Sequence, residues 1–564
     1  MTFEEYPLRI PNIKSIEKKV NSIIEQLKNV KSKEEELKVI YKYFKWSDKI
    51  SSDITVIQIR NSINTLDPVY EKAMEKINEI SPIIQSLTQQ VDLLIFNSKN
   101  KEYLVSKLGK HYFDMLEASF KTFNDTIIEE CIEENKLITA YDKLMASADI
   151  EFKGEHLNLT MLGKYLSSKD RKEREEASKL YYGYIEEHDK EFGEIYSKLV
   201  LVRDKMAKKM GFKNYVDFGY LRLGRTDYNS EDVKGYRDQI IKDVVPFVLK
   251  LKKRQAKRIN IKSPLFYDFN LDFLSGNPTP KGNSEYLVNV AKNMYNDMSK
   301  ESGEFFSYMV NNHLMDLDAK KGKAGGGYCT YIPLYKAPFI FANSNGTSGD
   351  VDTLTHEVGH AFQAYLASNI KNPSLRSPTL EACEIDSMSM EFFAYPYMED
   401  FFKEDKDKYL FSHLSGAISF LPYGAEVDDF QHFVYEHPTC THEERCAYWA
   451  KIDKIYRPWM NYKGFSYLDS GHMWIRQHHI YSTAFYYIDY TLAQVLALEF
   501  KNEFEKNKEK TWKKYIKLLK MGGKYPFLEL IEKDHLLNPF IDGNIKKIMK
   551  PSIKQLNSID DLKF

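Results

Sequence analysis

The stretch "THEVGHAFQAY", residues 355–365, carries two histidines four apart, with a glutamate directly after the first. On a helix over 350–368, Val351, Leu354, Val358, Phe362 and Tyr365 share one face. His356 and His360 fall together on the other, one turn apart. That spacing lets both imidazoles reach one ion at about 2.0–2.1 Å. Glu357 points to the flank, close to the ion but not on it, where it can accept a proton from water held there. Gly359 and Ala361 are small and permit another backbone to approach this helix closely.

Catalytic zinc usually takes three protein ligands and keeps one position for water. The next acidic cluster is "SPTLEACEIDSMSMEFF", residues 377–393. Ser377 and Pro378 read as the N-cap and first position of a helix. It offers Glu381, Glu384, Asp386 and Glu391. Glu381 falls in the first turn, where a carboxylate commonly just favours the helix dipole. Asp386 lies about 200° around from Glu384, so the two cannot both face one ion. Glu384 and Glu391 share a face; one can bind the ion and the other can support a histidine from behind.

"HEVGH" followed 24 residues later by "EIDSMSME" resembles the thimet oligopeptidase and oligoendopeptidase F family of zinc metallopeptidases. The bacterial oligoendopeptidase or Pz-peptidase type looks most similar. "NYVDFGYLRLGRTDYN" (214–229), "GGGYCTYI" (325–332) and "PFIFANSNGT" (338–347) match too, so the resemblance runs from about residue 160 to the C-terminus. It implies Glu384 as third ligand, Glu357 as general base, one zinc ion, and a two-lobed helical body split by a deep channel that admits short peptides. The expected activity is cleavage of internal peptide bonds. The alternatives are a related zinc carboxypeptidase, which needs a basic group for the free carboxylate and has Arg222, Arg225 and Arg476 available, and a non-catalytic peptide-binding protein.

"RQHHIYSTAFYYIDYTLAQV", residues 476–495, is rich in rings that pack a core and in donors for an oxyanion. On one unbroken helix His479, Tyr486 and Tyr490 share a face. The family resemblance instead implies a register of His478, Tyr487 and Tyr490. The thimet branch places glycines between that histidine and the tyrosines, and this sequence has none there. Tyr490 is common to both readings. Upstream, Gly326 and Gly327 beside Tyr328 let backbone approach a bound peptide. "APFIFAN" reads as an edge strand because of Pro338, and its residues Phe339, Ile340, Phe341 and Ala342 can pair with that peptide. "EHPTCTHEERC" (436–446) offers His437, Cys440, His442 and Cys446, but in a spacing that matches no standard zinc module; it reads as a loop entering a helix.

The elements around these residues are mostly helices. Proline and glycine are sparse, at 19 and 26 in 564 residues. "VNSIIEQLKNV" sets Val20, Ile23, Ile24 and Leu27 at helical spacing, and Ser81-Pro82 reads as a helix start. "SSKDRKEREEASKLYYGYIEEHDKEF" is a further charged helix. Glycines and β-type residues cluster only at 318–350. The expectation is a mainly α protein with one small sheet beside the histidine helix. Residues 1–160 would form an N-terminal helical region and 161–564 the peptidase region, with lobes that share both chain halves. Lys+Arg is 80 against Asp+Glu 81, which gives no field for nucleic acid or an anionic membrane. No run of apolar residues is long enough to span a bilayer. "MTFEEYPLRI" lacks a signal-peptide pattern, and five cysteines suggest free thiols in a reducing cytoplasm.

Overall fold

The computed structural model describes residues 1–564 and is dominated by helices, with a two-stranded hairpin (Ile150–Phe152 and Glu155–Leu157) and one three-stranded sheet. A helix covers Ile13–Lys28, where Val20, Ile23 and Leu27 are buried on one stripe. With neighbouring helices up to Leu116 they form an apolar core of their own, to which Leu375 also contributes. The larger core gathers Phe3, Tyr6, Val56 and Ile59 with residues from the rest of the chain. The first residues therefore pack with the body that holds the histidines. All five cysteines are free thiols, and no helix is long and apolar enough to cross a membrane.

Three local expectations need correction. Pro82 does not start a helix: Pro68–Phe96 runs through it, begun by Asp67, whose carboxylate accepts from the backbone N–H groups of Val69 and Tyr70. Asp-Pro supplies both a cap and a first-turn proline, which makes it the stronger start. The Ser81 hydroxyl bonds back to the Ile77 carbonyl instead. The charged run at 167–192 falls in two helices, Arg171–Glu187 and Asp189–Lys209, broken at His188. The acidic helix begins at Leu380, with Thr379 in the cap position.

Strand order brings a further correction. Ala337–Ser344 lies in the middle of its sheet, parallel to Met315–Asp318 on one side and antiparallel to Tyr328–Ile332 on the other. Pro338 is tolerated because the parallel neighbour is first paired at Ile340, so the missing N–H falls where the strand has one partner. Phe339, Ile340, Phe341 and Ala342 are buried and have no edge to offer a peptide. The sheet edge on the glycine side is Tyr328–Ile332.

Candidate metal centre

The histidine helix spans Gly349–Ala367, with Val351, Leu354, Val358 and Phe362 buried on its back. The acidic helix, Leu380–Phe393, is buried nearly throughout. What lets them meet is Gly359. A Cβ there would stand 2.6 Å from the Ser387 Cα and 2.7 Å from the Asp386 carbonyl oxygen. These are backbone atoms, which cannot swing aside. Gly359→Ala is expected to force the helices apart, at about 1–3 kcal/mol, and to weaken metal binding with it. Thermal unfolding and a metal-affinity titration of the variant check both.

The close approach sets Glu384 beneath the two imidazoles. Its Oε2 lies 3.2 Å from His356 Nε2 and 3.4 Å from His360 Nε2. The imidazole rings are 5.0 Å apart, nearly perpendicular. Three ligand atoms from three residues thus converge within the span one ion needs. Two neutral nitrogens and one carboxylate oxygen make a donor set that suits zinc, and this geometry fits it. Burial raises the Glu384 pKa, but His360 and His356 outweigh it, so this carboxyl is held well below the usual range. The Ser387 hydroxyl and the Tyr486 hydroxyl both donate to it.

Glu357 is buried, and its Oε2 has no hydrogen-bond partner. Burial pushes its pKa up, with His356 and His360 pulling the other way. A carboxylate in this state is suited to take up a proton. Gly327 comes close: a Cβ on it would be 3.6 Å from Glu357 Oε1 and 3.2 Å from the Thr353 methyl. Gly326 has open space around it and a left-handed φ of 82°. The Asn343 amide holds this loop by donating to the carbonyls of Ala324 and Gly326. The Tyr328 ring stacks on Phe341.

Glu391 stands behind His356. Its Oε1 is 2.7 Å from His356 Nδ1, and its Oε2 is 2.8 Å from His413 Nε2. With Nδ1 engaged, Nε2 of His356 is left facing Glu384. His413 is tied on its other nitrogen to the Tyr395 hydroxyl at 2.8 Å. It has no signal in the sequence: the other histidine of the helix Lys406–Glu436 is His432, far along the helix and in no ligand spacing with it. Beside this group lies a cavity of about 520 Å³ walled in part by His413, Phe420, His479, Tyr487 and Tyr490. Glu391→Gln should keep the fold and lower metal affinity about 10–100-fold, as read by competition with a chromophoric chelator.

The tyrosine–histidine segment is not one helix. His478–Ser482 is a short turn of helix, and a second helix starts at Tyr487. Phe485 sits between them at φ 66°, a strained setting for a bulky residue. Arg225 fixes the break, with Nη2 2.6 Å from both the Phe485 carbonyl and Asp489 Oδ1. The Gln477 amide accepts from the Tyr423 hydroxyl and donates to His479 Nδ1. His479 Nε2–H is then the donor to the Tyr490 hydroxyl, 3.1 Å away, which leaves the Tyr490 proton free to be given elsewhere. Burial brings the His479 pKa down to about 4, so this ring is neutral. Burial, with Glu384 and Glu357 adding to it, holds Tyr490 protonated as well. Tyr486 reaches Glu384, whereas the Tyr487 ring packs on Phe420 and Tyr423. His478 is turned outward to Asp142, at 3.0 Å, and does not join the group.

Comparisons with known sequences and structures bear on the family of the whole chain. Residues 164–549 match the model of peptidase family M3, and residues 3–123 match the peptidase M3 N-terminal domain. An oligoendopeptidase F homolog of Mycoplasma genitalium is 24% identical over 339 residues, covering 55% of this chain; the match spans 54% of that relative's length. Among solved structures, Pz peptidase A with an inhibitor is 45% identical with a TM-score of 0.98, covering 99% of this chain and all of that one. A Bacillus anthracis protein assigned as oligoendopeptidase F is 44% identical with a TM-score of 0.94, covering all of this chain and 99% of that one.

Proposed function

This chain belongs to peptidase family M3 and is a metallopeptidase, and from that premise we propose that it is a zinc-dependent oligoendopeptidase that cuts internal bonds of short peptides. The observation that carries this reading is the convergence of Glu384 Oε2 on His356 Nε2 and His360 Nε2, with Glu357 unpaired beside them. Its relatives among solved structures support the peptide substrate, since one is named a Pz peptidase with an inhibitor.

His356, His360 and Glu384 would hold the ion. Zinc bound there supplies Lewis acidity for the scissile carbonyl and acidifies water. Glu357 takes the proton from the attacking water at Oε2 and later passes it to the leaving amine. The Tyr490 hydroxyl, oriented by His479, donates to the oxygen that gains charge as the carbonyl is attacked. Tyr486 serves from its bond to Glu384. The free edge at Tyr328–Ile332, rather than the central strand, is the one that can accept an extended peptide, and Gly326 and Gly327 leave room for its backbone. We place the peptidase region at 161–564 and the N-terminal helical region at 1–160.

A carboxypeptidase would need a cation free for the substrate's C-terminus. Arg222 is paired with Glu134 and Arg225 with Asp489. Arg476 has a buried Nε without a partner, beside the Tyr423 ring. An internally quenched peptide with an amidated C-terminus separates the two activities. We expect it to be cut at an interior bond. Removal of single residues from free C-termini only, with the amide resistant, would give the assignment to the exopeptidase.

A further inference from the structure

The loop at 436–446 does enter a helix, His442–Tyr456, capped by Thr441. His437 bonds only to the Phe433 carbonyl four residues back. His442 and Cys446, however, share one face at the start of that helix, one turn apart as His356 and His360 are. The structure adds what local spacing could not show. His472 arrives from a separate turn, so that ligand atoms of His442, Cys446 and His472 all lie within 4.8 Å of one another. Cys446 Sγ is 3.9 Å from His442 Nε2. Asp189, the first residue of the helix Asp189–Lys209, places Oδ1 3.1 Å from His442 Nε2 and 3.8 Å from His472 Nε2.

These groups are held there by contacts that allow little slack. Gly471 has φ 96°, and a Cβ on it would stand 1.9 Å from the Cys446 carbonyl oxygen. Only glycine can bring His472 this near to Cys446. On the other side, a Cβ on Gly193 would be 2.9 Å from His442 Nδ1. The His472 ring stacks on Tyr467, and its Nδ1 is 2.9 Å from the Tyr467 carbonyl. Nδ1 is therefore the protonated nitrogen, and the Nε2 lone pair faces the cluster. The Tyr467 hydroxyl donates to Asp189 Oδ1 at 2.7 Å. Ligand histidines are oriented from behind in this way.

We propose that His442, Cys446 and His472 form a second metal site for zinc or a similar thiophilic divalent ion, with Asp189 Oδ1 the nearest oxygen donor for a fourth position. Zn–S of about 2.3 Å and Zn–N of about 2.0–2.1 Å require donor atoms roughly 3.3–3.7 Å apart in a tetrahedron. The observed separations close to that with small side-chain rotations. Cys446 binds as the thiolate and releases its proton. No residue of this set belongs to the His356–His360–Glu384 group. The ion would tie together three segments distant in sequence, at 189, 442–446 and 472, as a structural site.

Sulfur makes the test selective, because the His356–His360–Glu384 set contains none. The full-length chain is stripped with a chelator, reloaded with cobalt(II), and examined for metal content and for a near-ultraviolet thiolate-to-cobalt charge-transfer band. We expect two equivalents per chain and the band. Cys446→Ser should remove the band and one equivalent, while peptide hydrolysis stays unchanged. His472→Ala, which keeps the thiol, should weaken the second equivalent at least tenfold and serves if the serine variant fails to fold. His356→Ala should keep the band. One equivalent with no thiolate band in the wild-type chain would overturn the second site and leave the cluster a hydrogen-bonded imidazole–thiol–carboxylate network.

Discussion

Glu357→Gln is expected to keep its metal and its fold while hydrolysis of a quenched short peptide falls about 10²–10⁴-fold, the range for a positioned proton transfer. The glutamine matches the carboxylate in size, so the packing around it is preserved. It lies outside the His356–His360–Glu384 set, so metal content should be unchanged. What is lost is the ability to take a proton at Oε2, the atom that is buried without a partner. In barrier terms the loss is about 3–5 kcal/mol. Steady-state kinetics should show it in kcat, with KM little altered, since a transition-state interaction has been removed. A variant that retained full activity would mean that another group is the base.

Glu384→Ala should act differently, on the metal first. Two imidazoles remain where three ligands stood. Outer partners of a ligand are each worth about 10–100-fold in affinity, and a direct ligand should exceed that. Zinc should therefore be lost on dialysis against a chelator that leaves the wild-type chain loaded, and activity should vanish with it. The Tyr486 hydroxyl loses its acceptor in the same variant, at a cost of about 1–3 kcal/mol in stability for the unsatisfied group, whereas the Ser387 hydroxyl keeps the backbone carbonyl of residue 384. Affinity by chelator competition and unfolding by calorimetry separate these effects. Unchanged zinc affinity would remove Glu384 from the ligand set.

The histidine helix was legible because helical periodicity is local. Val351, Leu354, Val358 and Phe362 define its buried back, and His356 and His360 follow on the opposite face. The small residue at Gly359 already indicated a close neighbour, and the acidic helix fills that place. Periodicity also paired Glu384 with Glu391, though only the packing of the two helices shows that the first lies under both imidazoles and the second behind one. Strand order was not legible. Pro338 suggested an edge, but the neighbour at Met315–Asp318 starts two residues beyond it, and no local signal reveals that. The break at 483–486 was hidden for a related reason. Phe485 adopts a left-handed φ without being glycine, under the hold of Arg225 from 260 residues away. That break lets Tyr486 reach Glu384 while His479 meets Tyr490, and it turns His478 out toward Asp142. His413 and His472 escaped notice because a lone histidine has meaning only through its neighbours.

Anomalous diffraction at the zinc edge, on crystals of the active full-length chain, tests the central claim most directly. The predicted result is a peak about 2.0–2.2 Å from His356 Nε2, His360 Nε2 and a Glu384 carboxylate oxygen, with Glu357 adjacent but not bonded to it. An active crystal with no peak between those three residues, or with Glu384 turned away from it, would contradict the account.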